Sequence, residues 1–169
     1  MEEAIKIVNI GIEIEKNGIK TYLDFAFRTK DCTGKNMFIK LARDEFDHMT
    51  ILEKELVSLL EKKCWIREEI PISIAEKVAP ALRRIEKIKS DDGVGELGAL
   101  KTALELEKRS IEFYKSSREK ITDQKAVVIF NRLIEMEESH YDLIQAEIDH
   151  IESTGFWFGI PEFSLEVEK

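Results

Sequence analysis

The two halves of the chain carry the same pattern of polar and apolar residues, 92 positions apart. Two carboxylates, one tyrosine and one histidine of the first half recur at that offset in the second. The matching pairs are Glu15 and Glu107, Tyr22 and Tyr114, Glu45 and Glu137, and His48 and His140. Apolar neighbours follow the same offset without a gap, as Phe38 does with Phe130 and Leu41 with Leu133. The chain therefore contains an internal duplication, and we expect a pseudo-two-fold axis to relate its halves.

Each half contains two long segments in which apolar residues recur at steps of three and four, the spacing of a helix with one buried face. The four segments cover residues 2–28, 36–63, 95–120 and 124–153. The connections within each half, around TKDCTG and around ITDQ, are short, which favours antiparallel helix pairs. Asp123 is a candidate N-cap for the fourth helix. The sequence therefore predicts an all-α four-helix bundle over residues 1–153, built from two helix hairpins.

Two further segments lie outside the four helices. A long crossover, residues 65–94, joins the hairpins, and the capping-box spacing of Ser73 and Glu76 predicts a short helix within it. Residues 154–169 form an aromatic C-terminal tail that Gly155 and later glycine and proline residues interrupt. We expect this tail to end the fourth helix and to pack on the bundle or on a second subunit.

The composition narrows the partners and the location of the protein. A chain of 169 residues with 43% hydrophobic and 36% charged residues is typical of a soluble globular protein. Its net charge of -8 argues against nucleic acid or an anionic membrane as a partner. No stretch approaches the roughly 20 apolar residues of a membrane span, and the acidic N-terminus is unlike a signal peptide. We therefore expect a cytoplasmic protein.

Polar residues interrupt each apolar stripe near its middle. The second and fourth segments each carry a Glu-x-x-His pair on the predicted buried face, and the first and third each carry one Glu. These six residues are Glu15, Glu45, His48, Glu107, Glu137 and His140. Buried charges without partners are strongly unfavourable, whereas two divalent metal ions would balance four carboxylates and bind two imidazole nitrogens. The pattern predicts a dinuclear metal site, with a metal-free buried polar network as the alternative.

The residues around these positions resemble the ferritin-like di-iron carboxylate superfamily and, within it, the rubrerythrin family. The resemblance covers residues 1–153 and rests on the motifs EKNGIKTY, DEFDH, EKRSIEFY and EMEESH. It implies a ferritin-like bundle with two iron ions, or with manganese or a mixed pair on the same ligands. The implied ligands are Glu45 and Glu137 bridging both metals, Glu15 and His48 terminal on one metal, and Glu107 and His140 terminal on the other.

The resemblance also implies an activity. The four glutamates would be the catalytic carboxylates of a di-iron oxidoreductase that reduces hydrogen peroxide or dioxygen. The hydroxyls of Tyr22 and Tyr114 would hydrogen-bond ligand carboxylates. Cys32 and Cys64 form no Cys-x-x-Cys pair, so the electrons would come from a separate donor protein such as a rubredoxin.

Other functions stay open at this point. They are ferroxidase activity with iron storage, hydroxylation of an organic substrate, and a helical interaction module without metal turnover. Ferritin sites usually carry a single Glu-x-x-His, so the two pairs here favour the rubrerythrin interpretation. The interrupted tail cannot supply the extra helix of the large ferritin shells, and we expect a small oligomer, a homodimer.

Two residues stand apart from the family pattern and the predicted site. Familiar rubrerythrins carry a glutamate, three residues after the equivalent of Glu107, that exchanges with a histidine when the irons change oxidation state. Ser110 occupies that position here, so the resemblance does not imply a ligand exchange. His150 falls off the ligand face near the helix end, and we expect a solvated side chain.

Overall fold

The computed structural model describes residues 1–66 and 94–158, with side chains from residue 96 onward in the second range. These residues form four helices and no strand: α1 (Glu2–Arg28), α2 (Cys32–Glu61), α3 (Val94–Glu119) and α4 (Gln124–Thr154). The predicted all-α fold class is confirmed. None of the described helices combines the length and the apolar character that a membrane span requires.

The helices pair as the short connections predict. α1 packs against α2, α3 packs against α4, and α1 also touches α3. The crossover falls mostly on residues 67–93, outside the described part of the chain, so its predicted short helix stays a prediction.

Aspartate N-caps set the starts of α2 and α4. The Asp31 carboxylate accepts the N–H groups of Thr33 and Gly34 at 2.8 and 3.2 Å, and Asp123 caps α4 in the same way, as predicted. Asp31 and Asp123 are again 92 positions apart. The predicted start of the second helix at residue 36 was wrong because the cap lies ahead of the first apolar residues of the stripe.

Two apolar clusters flank the middle of the bundle. One is centred on Tyr22, Phe38 and Leu41, and the other on Leu52, Tyr114 and Phe130. Along α2, Glu45 and His48 lie between Leu41 of the first cluster and Leu52 of the second. The polar centre is thus enclosed by apolar packing at both ends, which restricts water and strengthens its electrostatic interactions.

The duplication continues beyond the helices into a reciprocal aromatic contact. Trp65 follows α2 and its ring meets Phe130 of the second half edge-on, with centroids 6.1 Å apart. Trp157 follows α4 and meets Phe38 of the first half at 5.8 Å. The two tryptophans are 92 positions apart, as are the two phenylalanines. Each half therefore packs its tryptophan on the phenylalanine of the other half.

Two buried glutamates hold these segments in place. Glu55 accepts the backbone N–H of Ile66 at 3.0 Å, and Glu147 accepts that of Phe158 at 2.5 Å. α4 ends at the predicted break, because Gly155 adopts a left-handed conformation with φ of 78°. Trp157 therefore turns back onto the bundle, while residues 159–169 lie outside the described part.

Candidate metal centre

All six predicted ligand side chains meet in the middle of the bundle, each at most 4% exposed. Their potential ligand atoms form two overlapping groups, and within each group these atoms lie within 4.8 Å of one another. The groups are Glu15, Glu45, His48 and Glu137, and Glu45, Glu107, Glu137 and His140. The two carboxylates common to both groups, Glu45 and Glu137, are those that the resemblance makes bridging.

The histidine rings direct the same nitrogen toward the carboxylates. His48 Nδ1 lies 2.9 Å from Glu137 Oε1 and 3.6 Å from Glu15 Oε2. His140 Nδ1 lies 3.1 Å from Glu45 Oε1 and 3.7 Å from Glu107 Oε1. Since Glu and His three residues apart share one helix face, α2 and α4 each present an oxygen and a nitrogen donor to the same space.

Two buried tyrosines connect the halves of the centre. The Tyr22 hydroxyl donates a hydrogen bond to Glu107, and the Tyr114 hydroxyl donates to Glu15. Each tyrosine thus orients the carboxylate that belongs to the other half. Such hydrogen bonds fix the direction in which a carboxylate presents its second oxygen.

Without a cation, burial and mutual repulsion disfavour the charged form of two of the carboxylates. Burial, followed by the nearby charge of Glu45, raises the pKa of Glu15 to about 8. Burial and the charges of Glu45 and Glu15 likewise raise the pKa of Glu137 well above its ordinary range. Burial acts on Glu45 in the same direction, but Glu15 and the two histidines beside it outweigh burial and hold its pKa low. The cluster favours retained protons or bound cations over accumulated negative charge.

The buried atoms of the centre that lack hydrogen-bond partners indicate whether metal ions fit it. His48 Nδ1 and Glu137 Oε1 are close but form no hydrogen bond, as expected for two metal-ligand atoms that face a common point. Seven buried atoms of the centre have no hydrogen-bond partner among the described residues: Glu15 Oε2, Glu107 Oε2, both Glu137 oxygens, both His48 nitrogens and His140 Nδ1. Buried polar atoms are rarely left in this state. Carboxylate oxygens and imidazole nitrogens together suit first-row transition metals, so two such ions fit these residues.

A cavity of about 360 Å³ between α1 and α3 reaches the centre. Glu45, Glu107 and Tyr22 lie on its wall, together with Gly18 and Ser110, which occupy duplicated positions. Gly18 permits a close approach, because a Cβ there would lie 3.2 Å from Glu45 Cγ. Small residues at both positions therefore leave the Glu45 carboxylate, which belongs to both donor groups, accessible from this side.

Some side chains differ from expectation or were not predicted. His150 is half-buried rather than solvated, because its ring packs edge-on against Phe158 at 5.1 Å. The buried Glu55 and Glu147 were not predicted as anchors, although they share the 92-residue offset. Asp44, which lies 3.4 Å from His140 Nε2, was also missed. Its position beside Glu45 in the DEFDH motif was the available signal.

Comparison with known proteins agrees with this geometry. The family model described as Rubrerythrin matches residues 6–148, a span that includes all six clustered side chains. The chain belongs to the rubrerythrin family. No curated protein and no solved structure matches it significantly. Membership of this family and the buried Glu/His cluster are compatible with a di-iron site, and the family suggests an oxidoreductase role.

Proposed function

We propose that this protein reduces hydrogen peroxide, or dioxygen, at a non-haem dinuclear iron centre. The observation that carries the proposal is the pair of overlapping donor groups that share Glu45 and Glu137. When bound, two ferrous ions supply the two electrons that cleave the O–O bond of a peroxide. Iron is favoured by the family, while manganese or a mixed pair would use the same donors.

The chain's own residues would hold and enclose this centre. Glu15 and His48 would hold one metal, and Glu107 and His140 the other, with the two shared carboxylates between them. Tyr22 and Tyr114 keep the terminal carboxylates oriented through their hydrogen bonds. The two apolar clusters shield the ends of the centre from water. The buried carboxylates are groups that can carry the protons that peroxide reduction consumes.

The remaining partners are also proposals. We propose a separate electron donor such as a rubredoxin, because Cys32 and Cys64 are exposed and neither belongs to a Cys-x-x-Cys pair. A homodimer in the cytoplasm is the assembly and location that we propose from the tail and the composition.

Anaerobic loading with ferrous iron, followed by stopped-flow mixing with peroxide and separately with oxygen, tests the activity. We expect oxidation of about two ferrous ions per chain and then a stall until a reductant is added. Peroxide should be consumed in each reducing cycle. Accumulation of iron far beyond this ratio, co-eluting with a large shell on gel filtration, would instead establish iron storage.

The cavity favours one second candidate, oxidation of a small organic substrate. Its volume of about 360 Å³ lies within the roughly 300–1,000 Å³ of small-molecule pockets and exceeds what peroxide or dioxygen needs. Incubation with dioxygen, a reductant and a set of small phenols and alkenes, with mass spectrometry of the products, tests this candidate. Product molecules that gain oxygen would support a hydroxylase, and their absence together with rapid peroxide consumption would favour the first proposal.

A further inference from the structure

The duplication is broken at a position that contacts a histidine of the metal centre. Asp44 of the first half corresponds, at the offset of 92, to Met136 of the second half. Asp44 Oδ2 lies 3.4 Å from His140 Nε2, on the side of the ring away from the carboxylates. The corresponding nitrogen, His48 Nε2, is buried without a hydrogen-bond partner among the described residues. The two half-sites therefore differ behind their histidines.

This difference acts on the nitrogen that faces the centre. A neutral imidazole carries its proton on one nitrogen and offers the lone pair of the other to a metal. A hydrogen bond from the Nε2–H of His140 to the Asp44 carboxylate would hold Nδ1 free toward Glu45 and Glu107. A carboxylate behind a histidine also makes the ring a stronger donor. His48 can free its Nδ1 only by placing an N–H on Nε2, where the described residues offer no acceptor. A buried N–H without an acceptor is unfavourable.

We propose that the two metal positions are inequivalent, and that Asp44, as a positioning residue, makes the one at His140 bind its metal more tightly and fill first. This inference rests on the proposed dinuclear centre. Loss of such a partner behind a metal-bound histidine typically lowers metal affinity by about 10- to 100-fold. We therefore expect a separation of that order between the two binding steps, and a single occupied position at His140 when metal is scarce.

A titration of the metal-free protein with Co²⁺, monitored by calorimetry and by visible absorption, resolves the two metal-binding steps. In the unaltered protein we expect two steps separated by about 10- to 100-fold. Asp44→Met introduces the residue found at the corresponding position of the second half. It should merge the two binding steps by weakening the tighter one. Asp44→Asn keeps an acceptor oxygen without its charge and should give an intermediate affinity. Asp47→Met is the matched control, since Asp47 is an exposed residue on the same helix, and should change neither step.

The reciprocal change separates positioning from structural damage. By the 92-residue duplication, Met136→Asp would place an acceptor behind His48. It should then strengthen the weaker step toward the tighter one, a gain that a disrupted fold cannot produce. The melting temperature of each metal-free variant reports its folding, and if Met136→Asp does not fold, the two Asp44 variants decide. Two equal steps in the unaltered protein, or no change in Asp44→Met, would overturn the inequivalence and leave the dinuclear centre standing. Failure to bind Co²⁺ at all would overturn the proposed metal centre itself.

Discussion

Replacement of Glu147 by glutamine should remove a large pH dependence from the stability of the protein. Glu147 is 2% exposed and anchors the segment after α4 by accepting the N–H of Phe158. Burial raises the pKa of Glu147 to about 8 from its ordinary value of 4.5, the Phe158 N–H opposes this shift, and the charge of Asp31 adds to it. The folded protein therefore favours the neutral form of this carboxyl group.

The sign and size of the effect follow from proton binding. Between pH 4.5 and about 8 the folded state holds a proton that the unfolded state has released. The stabilisation is thus complete below the unfolded pKa and is lost as the pH rises toward about 8. At about 1.4 kcal/mol per pH unit, this interval corresponds to a change on the order of 5 kcal/mol in the free energy of unfolding.

Urea unfolding of the metal-free protein and of Glu147→Gln, at intervals from about pH 5 to 9, measures this change. Glutamine keeps a carbonyl acceptor for Phe158 but cannot ionise, so its advantage over glutamate should grow with pH and level off above about 8. Glu152→Gln is the control, because Glu152 forms an exposed ion pair with Lys101 that contributes less than about 1 kcal/mol. A difference between the unaltered protein and Glu147→Gln that stays constant over this range would refute the reasoning.

Three further predictions concern packing and metal binding. Gly34→Ala should destabilise the protein by about 1–3 kcal/mol in urea unfolding, because the new Cβ would overlap the Trp157 ring. Gly98→Ala is the control: its Cβ would meet nothing within 4 Å, and it should stabilise the protein by up to about 1 kcal/mol. Gly18→Ala should weaken metal binding in a Co²⁺ titration, because its Cβ would push Glu45 aside, without lowering the metal-free melting temperature. Adding ferrous iron anaerobically should raise the melting temperature, and a chelator should reverse the rise; an unchanged melting curve would favour a metal-free polar network.

Local patterns and the internal repeat in the sequence were sufficient to predict the four helices and the cluster of Glu and His side chains. The three-four spacing fixed which face of each helix is buried, so polar residues in mid-stripe, such as Glu45 and His48, had to meet in the core. The duplication added a second set at the same level. The assignment of individual ligands to each metal stays a prediction that metal binding must test.

Contacts between distant segments could not be read from the sequence in the same way. Periodicity places Asp44 on α2 but does not reveal that it lies behind a histidine of α4. The exchange of Trp65 and Trp157 between halves depends on how the chain turns after each helix, which no helical pattern encodes. The burial of His150 was mispredicted for the same reason: the chain turns back after α4, and Phe158 packs against the His150 ring.

The number of metal ions per chain tests the central claim most directly. Elemental analysis of protein reconstituted anaerobically with ferrous iron and freed of excess metal should give about two irons per chain. Glu45→Ala should reduce the content at both positions, since its carboxylate belongs to both donor groups, while Glu152→Ala should leave the content unchanged. An unaltered protein that retains no iron, or a Glu45→Ala variant that loses only one of two irons, would contradict a dinuclear centre with shared carboxylates.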